Sequence, residues 1–255
     1  MKNVLITGAS SGIGLEMAHV YAEKGFDLFL TARREPLLQE LKITLEKKHN
    51  ISVEIFSLDL SEQNSAEVLF AKSNELSLKF DIVINNAGFG LFGDFVDNDP
   101  DMVQSMLNLN MLTLTKLCHL YSKQMIEKGG GNIVNIASTA AFQPVPYLAV
   151  YAATKSYVLN FSEALAFELK PKNVFVTAIC PGATESEFGD TAGFDVSKLD
   201  SNMPTSRDLA EFIYKAVKRN KVVAQHGKLN GFLTFTQRFV PRSIVTKVSA
   251  SMMKK

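Results

Sequence analysis

The chain of 255 residues contains no tryptophan, four histidines and only two cysteines. Cys118 and Cys180 lie in apolar contexts without metal-ligand or redox spacing, so neither a disulfide framework nor a metal centre is expected. Buried thiols in a reducing cytoplasm are the reading. Charge of one sign is also missing: 27 basic and 26 acidic residues leave a net +1. With no run of about five like charges, wholesale nucleic-acid binding is not expected. No apolar run approaches the ~18 residues of a membrane span, and the run Val4–Ile6 is too short for a signal peptide. Internal repeats, low-complexity segments and interdomain linkers are absent, and the length suffices for one large core. A single domain spanning 1–255 is expected.

What is present is alternation. The segments NVLIT, DLFLT, SVEIF, DIVIN, NIVNIAS and NVFVTAI are short, β-branched and bounded by turn residues. Amphipathic patterns separate them at Gly12–Lys24, Glu35–Lys48, Ser61–Ser73, Pro100–Lys128 and Tyr151–Leu169. A helix over Ser206–Arg219 and a last strand at Val222–Ala224 follow. Strands that are apolar throughout predict an α/β Rossmann fold, a doubly wound parallel sheet of about seven strands covered on both faces. Ligands of such sheets bind at the carboxyl ends of the strands. Residues 1–100 read as one half of this sheet and 101–226 as the other. The polar, turn-rich stretch 189–204 reads as a substrate lid or a surface excursion. The tail 227–255 mixes aromatic and basic residues, and a helical reading puts Phe232, Phe235 and Phe239 on one face. Packing against the body or a sister subunit is one role for it, and weak contact with a membrane surface is the other.

The first strand ends in TGASSGIG, where a helix begins. Gly8 permits a tight turn, Gly12 lets the backbone approach a pyrophosphate, and Gly14 lets the helix pack on the sheet. Free N–H groups and the positive helix end then face the phosphates, with Ser10, Ser11 and Ile13 completing the loop. This Gly-x-x-x-Gly-x-Gly spacing resembles that of the classical short-chain dehydrogenases/reductases. The resemblance runs from Val4 to about Phe188 and is weaker beyond. It implies NAD(H) or NADP(H) as cofactor. At the end of the second strand, Arg33 and Arg34 stand where a carboxylate would select NAD(H). Two guanidinium groups suit a 2′-phosphate, so NADP(H) is expected over NAD(H). Asp59 and Leu60 match the family's adenine contacts. Asn86, Ala87 and Gly88 match its NNAG turn. Pro181 and Gly182 match the turn beside the nicotinamide, with Thr184 and Ser186 following. Ser186 stands where threonine is common, keeping the hydroxyl and losing the methyl.

The resemblance also implies a tetrad of Asn110, Ser138, Tyr151 and Lys155. Its chemistry follows from the residue types. Carbonyl reduction needs hydride on carbon and a proton on oxygen, and a phenol with a pKa of about 10 donates readily near neutral pH. Spacing of i, i+4 on a helix brings Lys155 to Tyr151, where an ammonium would lower the phenol's pKa and also reach the nicotinamide ribose. Ser138 would polarise the substrate oxygen. Asn110, in the family, keeps a helix kink open and anchors a water relay. Tyr157 faces away from Lys155, and Tyr147 precedes the helix as a pocket wall. Further pocket residues are Phe89, Leu91, Phe92, Phe142, Val145, Phe188 and Phe194, mostly apolar and none basic. A hydrophobic ketone, aldehyde or 3-oxoacyl substrate is expected. The alternatives are a small 3-hydroxy acid as substrate, a non-catalytic NADP-binding sensor, or a sugar-nucleotide epimerase. The family's habits imply a homodimer or homotetramer formed through Pro100–Lys128 and Tyr151–Leu169.

Overall fold

The computed structural model describes residues 2–194 and 203–253. Seven strands, β1 (Asn3–Thr7), β2 (Asp27–Ala32), β3 (Val53–Ser57), β4 (Ile82–Asn85), β5 (Gly131–Ile136), β6 (Val174–Cys180) and β7 (Val223–Gln225), form one sheet. Their order is β3-β2-β1-β4-β5-β6-β7, and every neighbouring pair is parallel. The helices are α1 (Gly12–Glu23), α2 (Glu35–Lys48), α3 (Ser65–Glu75), α4 (Pro100–Leu107), α5 (Leu114–Lys128), α6 (Ala149–Leu169), α7 (Phe188–Ala192), α8 (Ser206–Lys218), α9 (Lys228–Thr236) and α10 (Arg242–Met253). Each strand read from the sequence is present, with ends moved by a residue or two.

The strands are largely apolar because both faces of the sheet are covered. Val4, Ile6, Leu28 and Leu30 point into a core shared with α1, α2 and α8. Their neighbours Leu5 and Phe29 point the other way, into a core shared with α3, α5 and α6. A buried polar chain pins α6 to the second face. Asn85 Nδ2 donates to Asn135 Oδ1 at 2.8 Å, and Asn135 Nδ2 donates to Ser162 Oγ at 2.9 Å. In low dielectric such bonds hold register more firmly than apolar contact alone, although Asn85 Oδ1 itself has no partner among the described residues.

Two elements depart from the sequence reading. The third helix starts at Ser65 rather than Ser61, because Asp59 Oδ1 accepts from Ser61 N at 2.9 Å and from Ser61 Oγ at 2.7 Å. That Asx turn competes with helix initiation. The stretch Pro100–Lys128 is helical from end to end but is interrupted by a π-type turn over Asn108–Thr113. Insertions of this kind are frequent at functional sites.

The strand order reverses between β1 and β4, and the segments leaving those two strands are fastened together. Buried Thr7 Oγ1 accepts from Asn86 N and Ala87 N, each at 3.0 Å, and donates to Ile84 O at 3.3 Å. Asn86 Nδ2 donates to Thr7 O at 2.9 Å and to Gly8 O at 3.2 Å. The glycine loop and the NNAG turn are thereby one rigid floor at the switch point.

Candidate active site

A cleft of about 790 Å³ opens at the carboxyl ends of the strands. Its polar half is bounded by Gly8, Ser10, Ser11, Gly12, Ile13, Arg33, Arg34, Asp59, Leu60, Asn86, Ala87 and Gly88. Gly14 lies under this wall, where a Cβ would meet Gly8 O at 2.1 Å. A side chain there is incompatible with helix and loop approaching as closely as they do. Gly12 has φ +53°, in the left-handed region that glycine tolerates, and a Cβ there would face Ser186 Cβ at 3.1 Å. The loop therefore presents backbone rather than side chains at the start of α1, as an anion cradle requires.

Arg34 is held across this cradle. Its Nη2 donates to Ser11 Oγ at 2.7 Å, Ser10 Oγ at 3.1 Å and Glu187 Oε2 at 2.8 Å. The Arg34 guanidinium in turn holds the Glu187 carboxyl below the usual carboxylate range, through that hydrogen bond first. Arg33 makes a looser pair with Asp59, at 3.8 Å, and both lie open to solvent. No acid stands at the end of β2; the carboxylates near the two arginines come from Asp59 and Glu187.

Ser138, Tyr151 and Lys155 line the same cleft. β5 ends at Ile136 rather than at Ser138, because Thr139 N turns away to donate to Pro181 O at 2.8 Å. Ser138 instead caps a short 3₁₀ turn, accepting from Ala140 N at 3.1 Å. The Tyr151 ring packs on Phe188, with centroids 5.1 Å apart, and Lys155 Nζ lies 5.7 Å from the Tyr151 ring centroid. Lys155 Nζ donates to Ile136 O at 2.7 Å. Burial dominates the electrostatics. It pushes the Tyr151 phenol up to about 12, with the Ser138 hydroxyl acting in the opposite direction. It also brings the Lys155 ammonium down to about 8. The expected lowering of the phenol by Lys155 does not figure among these influences: burial leads, and only the Ser138 hydroxyl opposes it.

Asn110 does not line the cleft but lies buried behind it, inside the π turn. Its Nδ2 donates to Phe89 O at 2.9 Å and Thr154 Oγ1 at 3.1 Å, and its Oδ1 accepts from Phe89 N at 3.2 Å. A Cβ on Gly88 would sit 2.9 Å from Asn110 Oδ1 and 3.4 Å from Lys155 Nζ, so the two side chains flank the same glycine.

The apolar half of the cleft includes Phe89, Val145, Phe188 and Phe194. Four expected wall residues, Leu91, Phe92, Phe142 and Tyr147, do not border this cleft. Phe142 packs against the core on the α3/α5/α6 side. Tyr147, at φ +66°, borders a smaller neighbouring cavity of about 260 Å³ together with Leu91. Phe92 stacks between Tyr147 and Phe194. Tyr157 is a packing residue, its hydroxyl 2.8 Å from Thr115 Oγ1 and its ring stacked on Phe161. Pro181, Gly182, Thr184 and Ser186 border the cleft. Phe188 N donates to Ser186 Oγ at 3.3 Å, so that hydroxyl helps start α7. Of the stretch 189–204, residues 195–202 lie outside the described residues. Sequence reasoning missed the C-terminal contribution: Leu229, Leu233, Met252 and Met253 complete the apolar wall. Both cysteines are buried, and burial pushes both thiols up to about 12. Among the described residues no cluster of His, Cys, Asp or Glu could hold a metal ion.

A glycine cradle at the switch point of a parallel sheet, sharing one cleft with a serine, a tyrosine and a lysine, defines a class: an oxidoreductase on a Rossmann-type fold. The family described as short chain dehydrogenase matches residues 2–195. The chain belongs to the short-chain dehydrogenase family and is an enzyme of that type. It is 33% identical over 220 residues to sulfoacetaldehyde reductase 2 of Chromohalobacter salexigens, covering 83% of this chain and 86% of that one. It is 29% identical over 237 residues to the probable oxidoreductase EphD of Mycobacterium tuberculosis, covering 86% of this chain but only 40% of EphD. A solved short-chain dehydrogenase from Sphingobium yanoikuyae, in complex with NADPH, superimposes with a TM-score of 0.85 at 31% identity, covering 94% of each chain. No described helix is long and apolar enough to cross a membrane.

Proposed function

We propose that this enzyme is an NADP(H)-dependent carbonyl reductase acting on a hydrophobic ketone, aldehyde or 3-oxoacyl group. One observation carries the reading: Ser138, Tyr151 and Lys155 share a cleft with the glycine cradle, and the cleft's other half is apolar. The backbone loop at Gly8–Gly14 suits a pyrophosphate, and Arg34, already on Ser10 and Ser11, suits a 2′-phosphate. NADPH in the Sphingobium neighbour supports the same choice. Bound there, NADPH supplies hydride to the carbonyl carbon.

The chain's own residues supply the rest. The Ser138 hydroxyl donates to the carbonyl oxygen and holds it beside the Tyr151 phenol. Tyr151 Oη gives that oxygen its proton, and a phenol held near 12 stays protonated until the carbonyl oxygen gains charge. Lys155, protonated below about 8, stabilises the phenolate that remains and would be the residue to hold the ribose of a bound cofactor. Asn110 fixes the loop at Phe89 through both backbone groups and stands beside Lys155, where a water could return the proton. Residues 1–100 serve mainly the cofactor and 101–226 the chemistry, within one domain to which the tail adds a wall. Exposed Leu112 and Phe167, on the π turn and α6, support a homodimer or homotetramer, which analytical ultracentrifugation would resolve. Two buried thiols favour the cytoplasm.

A small anionic substrate is the competing reading, given the sulfoacetaldehyde reductase relative. Against it, the basic residues lining the described cleft are Arg33 and Arg34 at the polar end and Lys155, with none on the apolar wall. The test is NADPH oxidation over long-chain 3-oxoacyl thioesters, aromatic ketones and small anionic aldehydes, with Tyr151→Phe alongside. Turnover of the apolar carbonyls should fall by about 10²–10⁴ in the variant while NADPH still binds. Exclusive turnover of small acids, or an unaffected variant, would overturn the proposal.

A further inference from the structure

The C-terminal helices leave a large apolar surface uncovered. On α10, Ile244, Val248 and Met252 recur every fourth residue, and each is about half exposed, at 50%, 55% and 49%. On and just beyond α9, Phe232, Phe235 and Phe239 are exposed by 63%, 56% and 76%. These aromatic side chains therefore do not pack against the body of the chain, as one reading of the tail required. Buried Thr234 lies on the side of α9 away from the phenylalanine row, and buried Ser249 lies on the flank of α10 that borders the cleft. Isolated exposed apolar residues are ordinary, whereas rows on two consecutive helices that border one cleft mark a contact surface.

Charge identifies the occupant. Residues 227–253 carry Lys228, Arg238, Arg242 and Lys247 and no acid at all. All four are exposed, and none forms an ion pair among the described residues. A second copy meeting this face symmetrically would set cation against cation. An anionic lipid surface instead satisfies both features, taking the aromatic and aliphatic rows at the acyl boundary and the cations at the headgroups.

The same two helices border the cleft. Leu229 and Leu233 of α9, and Met252 and Met253 of α10, form part of its apolar wall. We propose that α9 and α10 dock the enzyme reversibly on an anionic membrane surface, with the apolar end of the cleft turned toward the lipid. An amphipathic carbonyl compound could then pass from the bilayer to Tyr151 without crossing water. That passage rests on the proposed carbonyl reductase activity, but the docking does not, so the two can fail separately.

The test is co-sedimentation of the full chain with vesicles of phosphatidylcholine, alone or mixed with phosphatidylglycerol. Binding should require the anionic lipid and weaken steeply with salt. Each basic residue near such a surface contributes roughly fivefold in affinity, so Arg238→Gln, Arg242→Gln and Lys247→Gln together should weaken binding about 100-fold. Phe239→Ser should also weaken it. None of these four residues lines the cleft, so NADPH binding, read by fluorescence, should be unchanged. Equal binding to neutral vesicles, or none to either kind, would overturn the proposal. So would an oligomer that dissociates on Phe239→Ser, since a second copy would then be what covers this face.

Discussion

Replacing Lys155 with methionine should stabilise the fold while abolishing turnover. The side chain is 6% exposed, and its pKa falls from the ordinary 10.5 to about 8 because burial disfavours the ammonium. A displacement of that size corresponds to roughly 3 kcal/mol of burial cost near neutral pH. Methionine fills a similar volume without the charge. It cannot replace the bond from Nζ to Ile136 O, and a carbonyl left without its partner returns about 1 kcal/mol of that gain. The net is about 2 kcal/mol, or a melting temperature about 4–8 °C higher for a chain of this length. The pH dependence makes the test specific. The folded pKa lies below the unfolded one, so the folded wild type carries the full penalty below about 8 and sheds it as pH rises to 10.5. The variant's advantage should therefore be complete near neutral pH and shrink through that window. Urea unfolding of both proteins across the range, with NADPH oxidation in parallel, reads both effects. A variant less stable at neutral pH, or a stability difference independent of pH, would show that the ammonium is compensated in the fold and refute the reasoning.

Arg34→Ala should raise the KM for NADPH by about tenfold to a hundredfold, as loss of charge-assisted bonds to a phosphate implies. NADH turnover should change little, and equal effects on both cofactors would remove the 2′-phosphate assignment. Gly14→Ala places a methyl where Gly8 O stands, 2.1 Å from the new carbon, so helix and loop must separate. A loss of at least 1–3 kcal/mol in unfolding free energy, about what overpacking costs, should come with a larger loss of NADPH affinity. Intact cofactor binding would show that the loop tolerates the shift.

Much of the site was legible because its spacing is local. The interval between Tyr151 and Lys155 is one helical turn, and the three glycines of TGASSGIG announce a strand giving way to a helix. Both patterns survive whatever else packs around them. Phe142 and Tyr147, read as wall residues, do not border the described cleft, for the opposite reason. Nearness in sequence to Ser138 and Tyr151 says nothing about which way a side chain leaves a turn, and Tyr147 sits at positive φ. The Asx turn at Asp59 illustrates a smaller loss, where one carboxylate bond delayed a helix that periodicity started too early.

By itself the sequence determined the parallel sheet, the alternation of strands and helices along the chain, the glycine turn into α1 and the placing of Tyr151 and Lys155 on one helix face. Those follow from periodicity, from the need of glycine at close approach, and from angles within one helix. Only the tertiary structure decided that Arg34 spans the cradle to Glu187, that Asn110 fastens the Phe89 loop from within a π turn, and that the tail walls the cleft. It also decided that burial, rather than Lys155, governs the Tyr151 phenol. Each of these depends on residues far apart in the chain, where desolvation and contact are set by the packed whole and leave no local pattern to read.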